Sequence, residues 1–243
     1  MRPIKWMSRV EEIVDWGLKR DLFIIINAHH ENWLKENYAN SALRDRFDSI
    51  WRQISQRFKD KSGKLIFEII NEPNGLTKPE VNNLNERILK IIRQTNPTRL
   101  VIYSGNEWST PDKLIQAAVP KDDYLIGTFH LYEPAAFTYE KKTTKWGTQA
   151  EKDAIKSDFD KVAKWSKENN IPVLLGEFGA LTSGERESRI AFYTTYVEQA
   201  LSRGFAFCVW DDGGNMEVYK RKTRDWNEIK DVLINTSAHS IDY

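Results

Sequence analysis

Two glutamates stand where runs of apolar residues end. Residues 65–73 read Leu-Ile-Phe-Glu-Ile-Ile-Asn-Glu-Pro, a β-branched and aromatic run that suits a strand buried on both faces. Pro73 stops it, because proline has no N–H to give to a ladder. Asn71 and Glu72 fall at its end, and a second run over 171–176 delivers Glu177. A carboxylate carried by the last residues of a buried strand is held rigidly at the rim of a core. Burial there can raise its pKa and leave a proton for donation; the bland alternative is a strand-end glutamate facing water. In a mouth furnished with aromatic rings, two such carboxylates supply the parts for splitting a glycosidic bond. One carboxylic acid protonates the leaving oxygen while the other carboxylate stabilises or attacks the anomeric carbon. A gap of about 5 Å would imply retention of configuration and roughly 6.5–9.5 Å inversion, and both outcomes fit the residues.

The elements that must carry these groups alternate along the chain. An amphipathic helix over residues 6–20 comes first, with Met7, Val10, Ile13, Val14 and Leu18 at helical spacing. A nearly pure apolar strand over 22–28 follows and ends in His29, His30, Glu31, Asn32 and Trp33. The spacing of Leu43, Phe47, Ile50, Trp51, Ile54 and Phe58 then predicts a helix over 41–59 with Ser41 as N-cap. After the strand over 65–73 come a helix over 79–95, closed by Pro97, and a strand over 100–104 leading into Asn106 and Trp108. A short helix begins near Ser109, and a strand over 124–129 ends at His130 and Tyr132. Residues 133–148, with Tyr139, Trp146 and several lysines, read as an irregular functional loop. Lys141, Lys142 and Lys145 in it are expected to be solvated. A helix over 150–169, the strand to Glu177, a helix over 184–203, a strand over 205–210 ending in Trp210, and a helix over 226–234 complete the chain.

Six strands, each a buried run rather than an in/out alternation, argue for parallel strands covered on both faces: a doubly wound sheet or a (β/α) barrel. Polar residues fall at the carboxyl ends of all six, and a barrel converges every strand end on one mouth, so the expected fold is α/β of the (β/α)8 TIM-barrel type. No G-x-G-x-x-G or Walker sequence follows a strand, which removes the usual nucleotide readings. With 243 residues and an apolar fraction of 40%, the chain can build one large domain, expected over 1–243 without a linker. Its 36 basic and 35 acidic residues lack the surplus that a phosphate backbone demands, so nucleic acid is not an expected partner. No stretch of 18 apolar residues could span a membrane, and the first residues lack the apolar core of an export signal. The single cysteine, Cys208, lies in an apolar run and is expected to be a buried small hydrophobe. Trp51, Trp165 and Trp226, at helical spacing, are expected in the core, whereas Trp33 and Trp108 suit sugar-stacking rings or packing. For His29 and His30 the rival reading is a zinc site. Neighbours on a strand point to opposite faces, and no C-x-x-C or H-E-x-x-H sequence completes a ligand set, so no metal is expected.

Asn71-Glu72-Pro73, His130-x-Tyr132, Gly176-Glu177-Phe178-Gly179 and the strand-end Trp210, in this order, resemble glycoside hydrolase family 5, the large cellulase family with a (β/α)8 barrel. The likeness extends from about residue 6 to the C-terminus and includes His29-His30-Glu31-Asn32-Trp33 and Trp210-Asp211-Asp212-Gly213. It implies a retaining double displacement without a cofactor, with Glu72 as general acid/base and Glu177 as nucleophile. It also implies that Asn71 holds the sugar 2-hydroxyl, His130 bonds near the acid/base, Tyr132 orients the nucleophile, and Trp210 forms a platform under the sugar. His29 and His30 would line the glycone side. The implied activity is endo-β-1,4-glucanase on cellulose or a related β-glucan, with β-mannanase, xyloglucanase or a catalytically impaired carbohydrate-binding remnant as alternatives. Family members mostly work outside the cell, so secretion is the implied location.

Two strands that open the family barrel have no counterpart in this reading, nor does the arginine that ends the second and bonds the nucleophile. Arg2 precedes the first helix without a strand before it and is not assigned that place. Eight units at about 35–40 residues each would need well over about 250, so the expectation is a barrel truncated to six strands with an extra leading helix, N-terminally incomplete. The strands over 22–28 and 205–210 would then present open edges, which self-association or contraction of the barrel would cover.

Overall fold

The computed structural model describes residues 3–236, with the side chains of 3–5 left aside; Arg2 lies outside the described residues. The chain forms two compact units. One runs through Ser109 and takes back Gln116–Ile126; the other holds Thr110–Ile115 and the chain from Gly127 onward.

The first unit contains α1 (Pro3–Leu18), β1 (Ile24–Asn27), α2 (Asn32–Lys35), α3 (Ser41–Phe58), β2 (Leu65–Glu68), α4 (Lys78–Arg93) and β3 (Val101–Tyr103). Its strands pair in parallel and in chain order, Ile24 opposite Leu65 and Phe67 opposite Val101. The core is supplied by one face of each helix, with Phe47, Trp51 and Phe58 of α3 and Leu84, Ile88 and Ile92 of α4 buried together with Leu65 and Phe67 of β2, and Trp51 and Phe67 5.6 Å apart between ring centres. Asn40, not Ser41, caps α3: its side-chain oxygen accepts from the Ala42 N–H at 3.0 Å, which the hydroxyl one residue later is not placed to do. Thr77 and Glu80 form a reciprocal capping box at the start of α4. The buried Arg99 fastens the bottom of this unit. Its guanidinium donates to the carbonyls of Phe58, Lys61, Ser62 and Leu65 and to the Asn96 side chain, so the end of α3 and the start of β2 are tied to the turn before β3.

The second unit takes in α5 (Pro111–Gln116), most of which it holds, and β4 (Leu125–His130), of which it holds Gly127 onward. Then follow α6 (Ala135–Thr138), α7 (Gln149–Asn169), β5 (Val173–Phe178), α8 (Arg186–Leu201), β6 (Ala206–Val209), a hairpin of β7 (Tyr219–Lys220) and β8 (Asp225–Trp226), and α9 (Ile229–Asn235). β4, β5 and β6 are parallel neighbours in chain order, and the register shifts between Phe129 and His130 so that His130 stands opposite Glu177. Phe129, Phe159, Phe178, Phe192 and Tyr196 build an aromatic core in which Phe178 and Tyr196 stack at 5.4 Å.

Several expectations are corrected here. β2 and β3 are buried along their whole length, but β1 is only half-buried and β6 alternates, with Ala206 and Cys208 exposed. Cys208 is therefore a surface thiol; the apolar run around it says nothing about whether its face of the strand meets a neighbour. Trp226 is 50% exposed and lies in β8, stacked on Tyr219, rather than in the core. The last helix starts only at Ile229, because the Asn227 side chain accepts from the Ile229 N–H and donates to the Glu217 carbonyl, fixing a turn in between. Residues 133–148 are not irregular throughout. They contain α6, and Phe137 and Trp146 anchor them on Phe192, while Lys141, Lys142 and Lys145 are solvated as expected.

Candidate active site

In the first unit, the carboxyl ends of β1 and β2 run side by side: the Asn71 N–H donates to the Ala28 carbonyl at 2.8 Å. That bond brings together His29 and Asn71, whose Nδ2 lies 3.4 Å from His29 Nε2. Asn71 is buried and its Oδ1 has no protein partner, so the side chain keeps an unused acceptor at the strand end. Glu72 follows in a left-handed conformation, φ 39°, which a non-glycine residue adopts only where its surroundings enforce it. A tight turn fixes it, the Asn74 N–H donating to the Glu72 carbonyl at 2.6 Å.

The two histidines do not face opposite ways. His30 lies beyond the strand with φ 69°, and this left-handed step turns its ring back onto His29, edge to face at 4.3 Å between centroids. The alternation that separates neighbouring side chains holds only inside a strand. Trp33 is half-buried, with the Arg46 guanidinium 4.3 Å from the centre of its ring, so one face is covered by protein. Trp108 is 57% exposed and offers its ring to solvent.

Three residues to which sequence reasoning gave no role lie at or near these strand ends of the first unit. Lys35 and Glu31 are both buried, on adjacent turns. The Lys35 ammonium donates to the Asn71 carbonyl at 2.8 Å. Burial lowers the Lys35 pKa, with the Glu31 and Glu72 carboxylates acting the other way; burial raises that of Glu31. Their i, i+4 spacing was the available signal. Glu68, a carboxylate inside the apolar run, is buried in β2 and accepts from Asn27 Nδ2 at 3.1 Å across the strands.

In the second unit, β4 and β5 bring His130, Tyr132 and Glu177 together. The Tyr132 hydroxyl donates to Glu177 Oε2 at 2.9 Å, and His130 Nδ1 lies 3.6 Å from the same oxygen. Glu177 is largely buried, its side chain 14% exposed, and His130 is buried. The segment after β4 is held in turn, since the Tyr196 hydroxyl donates to the Glu133 carbonyl at 2.7 Å and the Leu131 N–H to the Glu177 carbonyl at 3.0 Å. Gly176 makes this approach possible. A Cβ there would stand 2.8 Å from His130 Nε2 and 2.5 Å from Thr128 Oγ1, so only glycine lets the imidazole lie against β5. Trp210 is set beside this strand by its N–H, which donates to the Phe178 carbonyl at 2.9 Å. Below it, Asp211 accepts from the N–H groups of Gly213, Val218 and Tyr219.

A carboxylate presented at the end of a parallel strand, held by a tyrosine and a histidine from the strand beside it, suits the working end of a (β/α)-barrel protein. The model of one such family, described as cellulase (glycosyl hydrolase family 5), matches residues 3–215, and the chain belongs to that family. Endoglucanase H of Acetivibrio thermocellus is 46% identical over 242 residues, covering 96% of this chain and 27% of that protein. Endoglucanase A of Clostridium longisporum is 33% identical, covering 95% and 50%. The chain thus spans between about a quarter and a half of the length of these curated relatives. Among solved structures, Thermotoga maritima Cel5A in complex with cellobiose superposes with a TM-score of 0.90 at 32% identity over 95% of this chain and 78% of that one. Its complex with mannotriose gives 0.89 at 32% over 96% and 78%. The fold is accordingly TIM-barrel-type, and the described residues carry six of its parallel strands.

Proposed function

We propose that the chain is a retaining endo-β-1,4-glucanase acting on cellulose or a related β-glucan, with Glu72 as general acid/base and Glu177 as nucleophile. The observation that carries the proposal is the Tyr132–Glu177 hydrogen bond of 2.9 Å, which aims a largely buried carboxylate as a nucleophile must be aimed. The 46% identity to an endoglucanase supports the choice of bond.

In the first step Glu177 attacks the anomeric carbon while Glu72 gives its proton to the departing glycosidic oxygen, forming a glycosyl ester and releasing the first product. Glu72, now a carboxylate, removes a proton from water; the hydroxide displaces Glu177, and the second product leaves with its original configuration. Asn71, whose side chain has an unused oxygen and a nitrogen near His29, is proposed to hold the 2-hydroxyl, a bond that strengthens as charge develops on the sugar. Trp210 is proposed as the platform under that sugar, His29 and His30 as the glycone lining, and Trp33 and Trp108 as further stacking rings.

Replacing Glu72 or Glu177 by Gln should lower turnover of soluble cellulose by about two to four orders of magnitude, and proton NMR of the first-formed product should show the β-anomer. Unchanged turnover in either variant defeats the assignment. A second reading, β-mannan as substrate, is favoured by the mannotriose complex named for Cel5A. Parallel assays on carboxymethylcellulose and mannan separate the two.

A further inference from the structure

We infer that Lys35 is a positioning residue that holds Glu72 in its working orientation; the inference rests on the reading of Glu72 as the general acid/base. Lys35 closes α2, is 8% exposed, and directs its ammonium away from solvent onto the Asn71 carbonyl at 2.8 Å. That carbonyl belongs to the peptide group that continues into Glu72. The same peptide precedes the left-handed φ of 39°, a conformation that would relax toward the ordinary right-handed or extended regions if the peptide plane were free to turn. Turning it would swing the carbonyl off a buried cation and leave the cation without its acceptor, which is strongly disfavoured. The hydrogen bond therefore opposes the relaxation.

The charge matters as well as the bond. Lys35 is brought to the Asn71 carbonyl by α2, which starts at Asn32, shortly after β1 ends at Asn27. Glu31, buried four residues earlier, and Glu72 both favour the charged ammonium against the cost of its burial. A neutral isostere would keep the packing of the stem but lose the grip on the peptide. Proton delivery needs the carboxyl within hydrogen-bond reach of the leaving oxygen, and a small displacement is costly. Steps that need no proton from Glu72 tolerate it.

The test is the leaving-group dependence of Lys35→Met. In the expected result, kcat/KM for cellotetraose, whose alcohol leaving group must be protonated, falls roughly ten- to hundredfold. For 2,4-dinitrophenyl β-cellobioside, which departs without a proton, kcat/KM should change by less than about twofold. Azide, a nucleophile that needs no base, should then raise kcat on the second substrate by taking the glycosyl group from Glu177 as the glycosyl azide. If both kcat/KM values fall together, or neither falls, Lys35 does not position the acid and the inference is overturned. Should Lys35→Met fail to fold, Lys35→Leu, a shorter apolar side chain that likewise leaves the Asn71 carbonyl without this donor, is read on the same two substrates by the same criteria. Glu72→Gln run alongside separates the two readings: if it lacks the leaving-group signature, the assignment of Glu72 itself fails, and if it shows the signature while Lys35→Met does not, only the role of Lys35 fails.

Discussion

The Tyr132 hydroxyl donates to Glu177 Oε2 at 2.9 Å, from a strand end whose neighbour His130 stands 3.6 Å from the same oxygen. One carboxylate oxygen thus receives the contacts from both His130, which ends β4, and Tyr132 just beyond it. Tyr132→Phe keeps the ring and removes the donor. Turnover of soluble cellulose should fall roughly ten- to a hundredfold, the range for losing one hydrogen bond to a charged group, while the melting temperature holds. A variant with full turnover would show that the bond does not orient the nucleophile.

Gly176→Ala asks whether the closeness of β4 and β5 is needed. A methyl group there collides with Thr128 Oγ1 and His130 Nε2, and neither is the far end of a flexible chain. The variant should lose about 1–3 kcal/mol of stability from overpacking. Its kcat should fall further than KM rises, as His130 is pushed out of place. Denaturant titration and steady-state kinetics on one preparation check both.

Asp211 gives the chain a pH dependence. Burial raises its pKa, but the N–H groups of Tyr219, Gly213 and Val218 and the nearby Arg221 outweigh this, and the net result lies below the ordinary value of 3.8. A depressed folded pKa contributes stability that is present above about 3.8 and lost as pH falls through the lower folded value. Asp211→Asn should therefore destabilise the protein at neutral pH by about 1–3 kcal/mol. The gap from the parent should close as the medium is acidified. Thermal melts across that range measure it, and a constant gap would contradict the assignment.

Cys208 should react in the folded protein. It is the one cysteine of the sequence and it is exposed on β6, so Ellman's reagent should titrate one thiol per chain before any denaturant is added. Titration only after unfolding would mean that this face of β6 is covered in solution.

Much of the scaffold was legible because burial on both faces leaves an unmistakable run: β2 and β3 fall within the expected segments, β5 runs on to Phe178, past the expected end, and the polar residues singled out in the sequence lie close to these strand ends. What was illegible depends on partners rather than on periodicity. Cys208 and Trp226 sit in apolar surroundings in the sequence, yet exposure is decided by whether another element lies opposite, and no local pattern encodes that. The hairpin of β7 and β8 has two residues per strand, too few for alternation to register. His29 and His30 both lie beyond Asn27, where β1 ends, so the alternation that separates neighbours within a strand does not apply to them. Lys35 was hidden for the opposite reason, since a lysine at the end of a short helix reads as a solvated charge until the carbonyl it serves is seen.

The segment that runs from the start of β2 to Glu72 is gripped by a cation on a backbone carbonyl near each end, Arg99 on Leu65 and Lys35 on Asn71. Neither end can fray by itself, because each release strands a buried charge. The amides of β2 should consequently exchange their hydrogens with solvent only when the first unit opens as a whole. The carboxylate at the end of that strand then inherits the slowest breathing motion of the unit rather than the quick motion usual for a residue at a turn.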